Sequence, residues 1–381
     1  MIEFGAAAKR EFLLEPGLAF LNHGSFGAPP RVVLEAAARW RERMEANPDL
    51  FLGEVLPGAL REAAGELARF IQASPDDVVF VDNATSGVNT VLRALEFRAG
   101  GEILATTHTY GAVRQAIRYV CDRTGAKLVE AQITLPVTDA GMLFSAVADR
   151  LSERTRLVVL DHVSSPTGLI FPVAELSALA RARGARVLID GAHGPGQLEL
   201  DLPGLGADWY VGNCHKWLFA PRSCAFLWCR AEAKRALHPL AISHHYGEGF
   251  TAEFDWTGTR DFSAWLAVID ALRFLDGLGA ARVRAYNHDL VATAASRIAE
   301  FWQTPLDAPA AMHGSMIAMR LPPRLQAYGP PTRDTARRLQ SALLAKHRVV
   351  VAVMALDDAL WARISGQIYN SAEDYERLLS I

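Results

Sequence analysis

One pattern constrains this chain more than any other: from about residue 75 to residue 230, short apolar runs alternate with stretches whose apolar residues recur at helical spacing. The runs are Val78–Val81, Ile103–Ala105, Leu157–Leu160, Val187–Ile189, Trp209–Val211 and Ala225–Trp228. Between them, Gly111–Arg123 and Val173–Arg183 read as amphipathic helices, each able to cover one face of a sheet. Strand–helix alternation of this kind predicts an α/β fold with a mainly parallel, doubly wound sheet.

After residue 262 the texture changes. Helical stretches at Ala264–Leu278 and Ala280–Trp302 lead to a strand at Met316–Leu321, a helix at Thr332–His347, an apolar β-branched run at Arg348–Met354, a strand at Trp361–Ile368 and a last helix from Ala372. That order describes a smaller α+β unit. Near the start, a helix at Arg31–Met44 follows Pro29-Pro30, and Pro is preorganised for a first helical turn. The expected division is an N-terminal arm at 1–30, a large domain at 31–262, and connecting helices with a small C-terminal domain at 263–381. A chain of 381 residues is long enough for two cores.

Charge and composition narrow the partners. A net charge of −3 gives no basic face for nucleic acid or a membrane surface. No segment reads as a signal peptide or a bilayer span, so a cytoplasmic protein acting on small molecules is expected. Cys121, Cys214, Cys224 and Cys229 form no C-x-x-C pair and read as reduced thiols. No metal is expected: His244 and His245, near Glu253 and Asp255, would point apart on a strand, and no second ligand pair has suitable spacing. Gly191–Gly196 lacks the order of a dinucleotide loop, and Ser164–Gly168 is not a nucleophile elbow.

Four segments carry chemistry when read together. In Val78–Asn89 a strand, a small polar turn and a helix beginning near Ser86 follow one another. The free N–H groups and positive dipole end of such a helix suit a phosphate at Ala84 and Thr85 or Ser86, although an ordinary N-cap turn uses the same residues. In Val187–Gly194 an apolar strand ends in Asp190, where ligands of open α/β sheets bind. A carboxylate there can pair with a pyridinium nitrogen, or simply cap the next turn. In Trp209–Trp217 the strand is followed by Lys216 between His215 and Trp217. A desolvated lysine is neutral and nucleophilic toward an aldehyde, whereas a lysine at a strand end can also snorkel to the surface. In Ala105–Gly111, His108 and Tyr110 follow a strand and could stack on a planar ring, though a core or loop histidine fits as well.

Phosphate turn, His108, Asp190-Gly191-Ala192-His193 and His215-Lys216, in this order, resemble the class V aminotransferase family, fold-type I enzymes that use pyridoxal 5′-phosphate (PLP). The interval from Asp190 to Lys216 resembles that family's too. Within it, Leu21–Gly27, His108–Tyr110, Asp190–His193, Trp256–Asp261 and Arg363–Asn370 are similar to isopenicillin N epimerase-like proteins. The resemblance spans almost the whole chain and is more specific for fold and cofactor than for substrate.

Several roles are implied by it. His108 would stack on the pyridine ring, Asp190 would bind its nitrogen, and His193, with Ser165 at the ring edge, would meet the ring hydroxyl. Asn213 and His215 would join Ala84, Thr85 and Ser86 around the phosphate, and Thr259 would reach the phosphate of a neighbouring subunit in a homodimer. Arg363 would hold the carboxylate of an amino-acid substrate, with Asn22 and His23 beside it. Lys216 would carry the cofactor as a Schiff base and take the Cα proton. A proton returned from the opposite face, by His108 or Tyr110, would make an epimerase or racemase; loss of a β-substituent would make a C–S lyase, and protonation at the cofactor carbon an aminotransferase. The resemblance favours the epimerase. Persulfide transfer is disfavoured because no cysteine follows Cys229, and a non-catalytic PLP-fold protein is disfavoured because Asp190, Lys216 and Arg363 are all present.

Overall fold

The computed structural model describes residues 2–381. All six apolar runs enter one sheet, as β2 (Val78–Val81), β3 (Glu102–Thr106), β5 (Thr155–Asp161), β6 (Arg186–Gly191), β7 (Trp209–Asn213) and β8 (Ala225–Cys229), joined by β4 (Lys127–Ala131). Their order is β2-β8-β7-β6-β5-β3-β4. Strands β7, β6, β5, β3 and β4 pair in parallel, and β8 runs antiparallel to both β7 and β2. The chain therefore has the predicted α/β architecture, a mainly parallel sheet with helices on both faces.

The continuous apolarity of the strands has a direct cause. Val158, Leu160, Val187 and Ile189 pack into one core, while Leu157, Val159 and Leu188 pack into another on the opposite face. Side chains that alternate across a pleat must all be apolar when both faces are covered. Helices Gly111–Thr124 and Val173–Ala182 form as expected. β4 escapes sequence reading because it is an edge strand, whose Lys127 is exposed and whose Glu130 pairs with Arg114. Also unforeseen is the helix Leu56–Phe70, which packs with Arg31–Ala46 and Val268–Leu278 in the first core.

A second sheet holds β11 (Ala352–Leu356), β12 (Ala359–Ser365) and β9 (Met316–Arg320), in that order and antiparallel. Helices Ala280–Trp302 and Arg333–His347 cover it through Ile298, Leu339 and Leu343. The N-terminal arm ties into this unit: β1 (Ala19–Phe20) pairs with β10 (Val349–Val350). Two expectations differ in detail. The stretch Ala264–Leu278 breaks at Ala267 into two helices, and β12 stops at Ser365 instead of reaching Ile368. At Gly366 the chain crosses the helix Ala280–Trp302 so closely that a Cβ would meet the Asn287 carbonyl oxygen at 2.4 Å. Among the described residues, no helix is long and apolar enough to cross a membrane.

Candidate active site

The parallel strands all end on one edge of the large sheet, and the antiparallel β8 begins there. A cavity of about 370 Å³ opens at this edge. Lys216 lies in the turn after β7, which is held by the His215 amide on the Cys224 carbonyl (3.1 Å) and the Ala220 amide on the Cys214 carbonyl (3.1 Å). Its side chain is buried, and its Nζ lies 3.2 Å from His193 Nε2. The partner of that imidazole fixes the proton. Trp217 Nε1–H can only donate, and it donates to His193 Nδ1 at 3.3 Å. Burial holds His193 neutral, well below the ordinary histidine range, so its single proton sits on Nε2 and points at Lys216. An ammonium could not accept it. Desolvation, with the Arg363 charge, lowers Lys216 to about 7 against a smaller opposing effect of Asp190, so a free amine is present at neutral pH.

Asp190 ends β6, is 4% exposed, and accepts the Ala192 amide at 3.0 Å. Burial raises its carboxyl above the usual range, opposed by that bond and by Lys216. Beside it, at the end of β5, stands Asp161, 2% exposed and on the cavity wall. Sequence reasoning does not single out Asp161, although it carries the same signal as Asp190: an acid at the carboxyl end of an apolar strand.

At the other end of the cavity, helix Ala84–Ala94 begins two residues before Ser86. Asn83 caps it by accepting the Ser86 amide at 2.9 Å, and Asn213 Oδ1 accepts the Ala84 amide at 2.9 Å. Ala84, Thr85, Asn213 and His215 line the cavity; Ser86 does not, its hydroxyl turning back to Asn83 at 3.3 Å. His215 Nδ1 donates to the Cys224 carbonyl at 3.0 Å, and burial holds the ring at about 4. Arg222, which nothing in the sequence distinguishes from a surface arginine, also lines this end and donates to the Gly27 carbonyl at 3.2 Å.

The third wall comes from the small unit and the arm. Arg363 on β12 is buried; its guanidinium donates to the Ser165 carbonyl, to Ser25 Oγ (3.1 Å) and to Asn22 Oδ1 (3.4 Å), while its Nε has no partner. Burial lowers it to about 10, still cationic, and among the described residues no acid forms an ion pair with it. Ser25 is a further residue that sequence reasoning missed. His23 does not line the cavity: its Nε2 meets the Lys216 carbonyl at 2.9 Å and its Nδ1 the Tyr369 hydroxyl at 2.8 Å, which fastens the arm to the lysine turn. Gly27, at φ +66°, completes the fastening, since a Cβ there would meet the His215 carbonyl oxygen at 1.9 Å.

Tyr110 stands on the cavity wall, 47% exposed, and Ser165 stands there too. His108 is fully buried behind them, with Nδ1 3.3 Å from the Thr167 hydroxyl and Nε2 without a partner; burial lowers it to about 4. Thr259 does not line this chain's cavity, although the adjacent Arg260 pairs with Asp82, which does. His245 pairs with Glu248 and His238 with Glu253, so these residues do not converge.

A free amine, an acid at the far edge, a helix amino terminus and an unpaired guanidinium fit a planar phosphorylated aldehyde together with an amino acid. The orphaned Nε of Arg363, on the cavity wall, is a group that such a ligand would satisfy. The profile of the family described as aminotransferase class V matches residues 22–378. A putative L-cysteine desulfhydrase of Oryza sativa subsp. japonica is 36% identical, covering 96% of this chain and 82% of its own. An isopenicillin N epimerase of Amycolatopsis lactamdurans is 35% identical, covering 98% of this chain and 96% of its own. Among solved structures, a cystine C–S lyase in complex with cysteine persulfide superposes with a TM-score of 0.82 at 22% identity, over 96% of this chain and 97% of that one, and so shares the fold. The chain belongs to the class V aminotransferase family of enzymes, and its cofactor is pyridoxal 5′-phosphate.

Proposed function

We propose that the protein acts at the Cα of an amino acid and returns a proton there, as an epimerase or racemase. One observation carries the action at Cα, a lysine whose amine is free at neutral pH and a buried arginine without an acid partner on the walls of the same cavity, and Tyr110 on that cavity's wall favours return of a proton there. Bound PLP supplies an aldehyde that captures an amine and a ring that withdraws electrons from Cα. In this reading Asp190 would keep the ring nitrogen protonated and His193 and Ser165 would meet the ring hydroxyl, while His108, buried behind Tyr110 and Ser165, would back that side of the ring. Ala84, Thr85, Asn213 and His215 hold the phosphate. Arg363, oriented by Asn22 and Ser25, fixes the substrate carboxylate with a planar fork. Lys216 Nζ then removes the Cα proton, and Tyr110, on the cavity wall, supplies one from the opposite face.

A second reading is elimination of a β-thiol, supported by relatives named L-cysteine desulfhydrase. It uses the same Lys216 step and needs no second acid at Cα. Persulfide transfer finds no support, because the four cysteines lie at or before Cys229. Separate cores for the two sheets support two units, but Val268–Leu278 and Val283 pack in the first core and Val291 onward in the other, so the boundary is better placed within the helix Ala280–Trp302 than at residues 262 and 263. We further infer a cytoplasmic homodimer: four unpaired thiols suit a reducing compartment, and Thr259, away from its own cavity, would serve the partner's phosphate.

Incubation with L- and D-amino acids in deuterated water tests this. Deuterium at Cα with interconversion of enantiomers is expected for the first reading. Sulfide and pyruvate from cysteine, with unreacted substrate retaining its configuration, would overturn it in favour of the second.

A further inference from the structure

Asp161 and Asp190 are Cα partners on neighbouring parallel strands, so their side chains leave the sheet on the same side. Both carboxyls are buried, and two carboxylates this close do not both ionise without a cation between them. The surroundings differ between the two. Asp190 accepts the Ala192 amide and has Lys216 nearby, whose protonated form would stabilise its anion. The Asp161 carboxyl meets the Thr109 hydroxyl and the Tyr110 amide, while its Oδ2 has no partner at all. An orphaned buried oxygen is costly as an anion and much less so as a neutral acid. The other titratable groups nearby supply no cation: burial holds His108 and His162 neutral at about 4, and the Tyr210 hydroxyl is an uncharged neighbour of Asp190.

We propose that Asp161 is a positioning residue that stays a neutral acid, so that Asp190 alone presents negative charge to the cofactor ring nitrogen. Thr109 and Tyr110, beside the Asp161 carboxyl, follow His108 directly, so Asp161 also anchors the segment that packs His108 behind the cavity wall. The proton comes from solvent on folding and remains on Asp161. Its role toward the ring nitrogen rests on the assignment of Asp190 above; its protonation does not, and can be read without the cofactor.

Infrared difference spectra of the cofactor-free chain at neutral pH are expected to show a protonated-carboxyl band that moves on ¹³C-aspartate labelling and disappears in Asp161→Asn. Absence of that band from the wild-type chain would overturn the proposal, whether or not the variant folds. In the holoenzyme, Asp161→Asn is expected to shift the pH midpoint of the cofactor's visible absorbance by less than about 0.5 unit, because a neutral amide replaces a neutral acid. A charged Asp161 would instead give a downward shift of about 1 to 3 units, as loss of a nearby anion does, and would overturn it equally. Should the band be present while the holoenzyme forms no coloured complex, the Asp190 assignment fails and the protonation stands.

Discussion

Two walls of the cavity are made in different ways. On one, Asp161, Asp190, Asn213 and Lys216 stand at or just beyond the ends of neighbouring strands, and the sheet's hydrogen bonds set their spacing. On the other, Arg363 is oriented by Asn22, 341 positions away, and by Ser25, 338 positions away. The sheet wall inherits its geometry from the most buried part of the molecule, whereas the arm wall exists only while the first residues lie against the small unit. The difference separates roles: the sheet wall holds the groups that would act on cofactor and proton, and the arm wall the groups that would grip the substrate carboxylate.

Variants of the two walls should therefore fail differently. The largest effect is expected for Lys216→Ala, which removes the base and should lower turnover by about 10²- to 10⁴-fold, measured as Cα deuterium exchange. Asp190→Asn comes next, with kcat reduced about 10²- to 10³-fold and KM little changed, because the ring's electrons lose a preorganised charge. On the arm wall, Arg363→Ala is expected to reduce kcat/KM about 10- to 100-fold, mainly through KM, as loss of a charged hydrogen-bond partner does. If Arg363→Ala lowered kcat alone, the proposed division between the walls would be wrong.

pH should sharpen the same contrast. Lys216 acts as a base only as the free amine of the substrate complex, so kcat should fall as pH drops below about 7, while Arg363, at about 10, stays charged and contributes no limb there. The same shift is linked to stability. Between about 7 and its ordinary 10.5, Lys216 binds more proton unfolded than folded, so its contribution to the cofactor-free chain improves as pH rises through that window. The smallest effect follows from this: Lys216→Met should raise Tm more at pH 6 than at pH 10, and equal gains at both would contradict the neutral amine.

The walls also differ in how legible they are. Strand ends can be read from residue order alone, because an apolar run followed by a polar residue identifies both the strand and the edge it reaches. Asp190 and Lys216 are found that way, whereas Asn213 is reached only through the resemblance. Asp161 carries the same signal, and is missed only because the strand is read as ending at Leu160. On the arm wall, resemblance points to Arg363, but nothing local in the sequence pairs Ser25 with it, since their contact depends on β1 joining β10 across the chain. His23 shows the converse: its motif suggests substrate contact, yet both ring nitrogens are occupied by protein partners. The amphipathic helix Leu56–Phe70 is a plainer oversight, whereas Arg222 looks like any surface arginine until β8 brings it to the cavity.

The central claim is that one desolvated, histidine-held amine receives the cofactor. The sequence has five lysines, Lys9, Lys127, Lys216, Lys234 and Lys346, so borohydride reduction of the PLP-loaded protein followed by peptide mass mapping gives an unambiguous answer. The reduced cofactor is expected on Lys216 alone; attachment to any of the other four, or no attachment in a fully folded sample, would contradict the account.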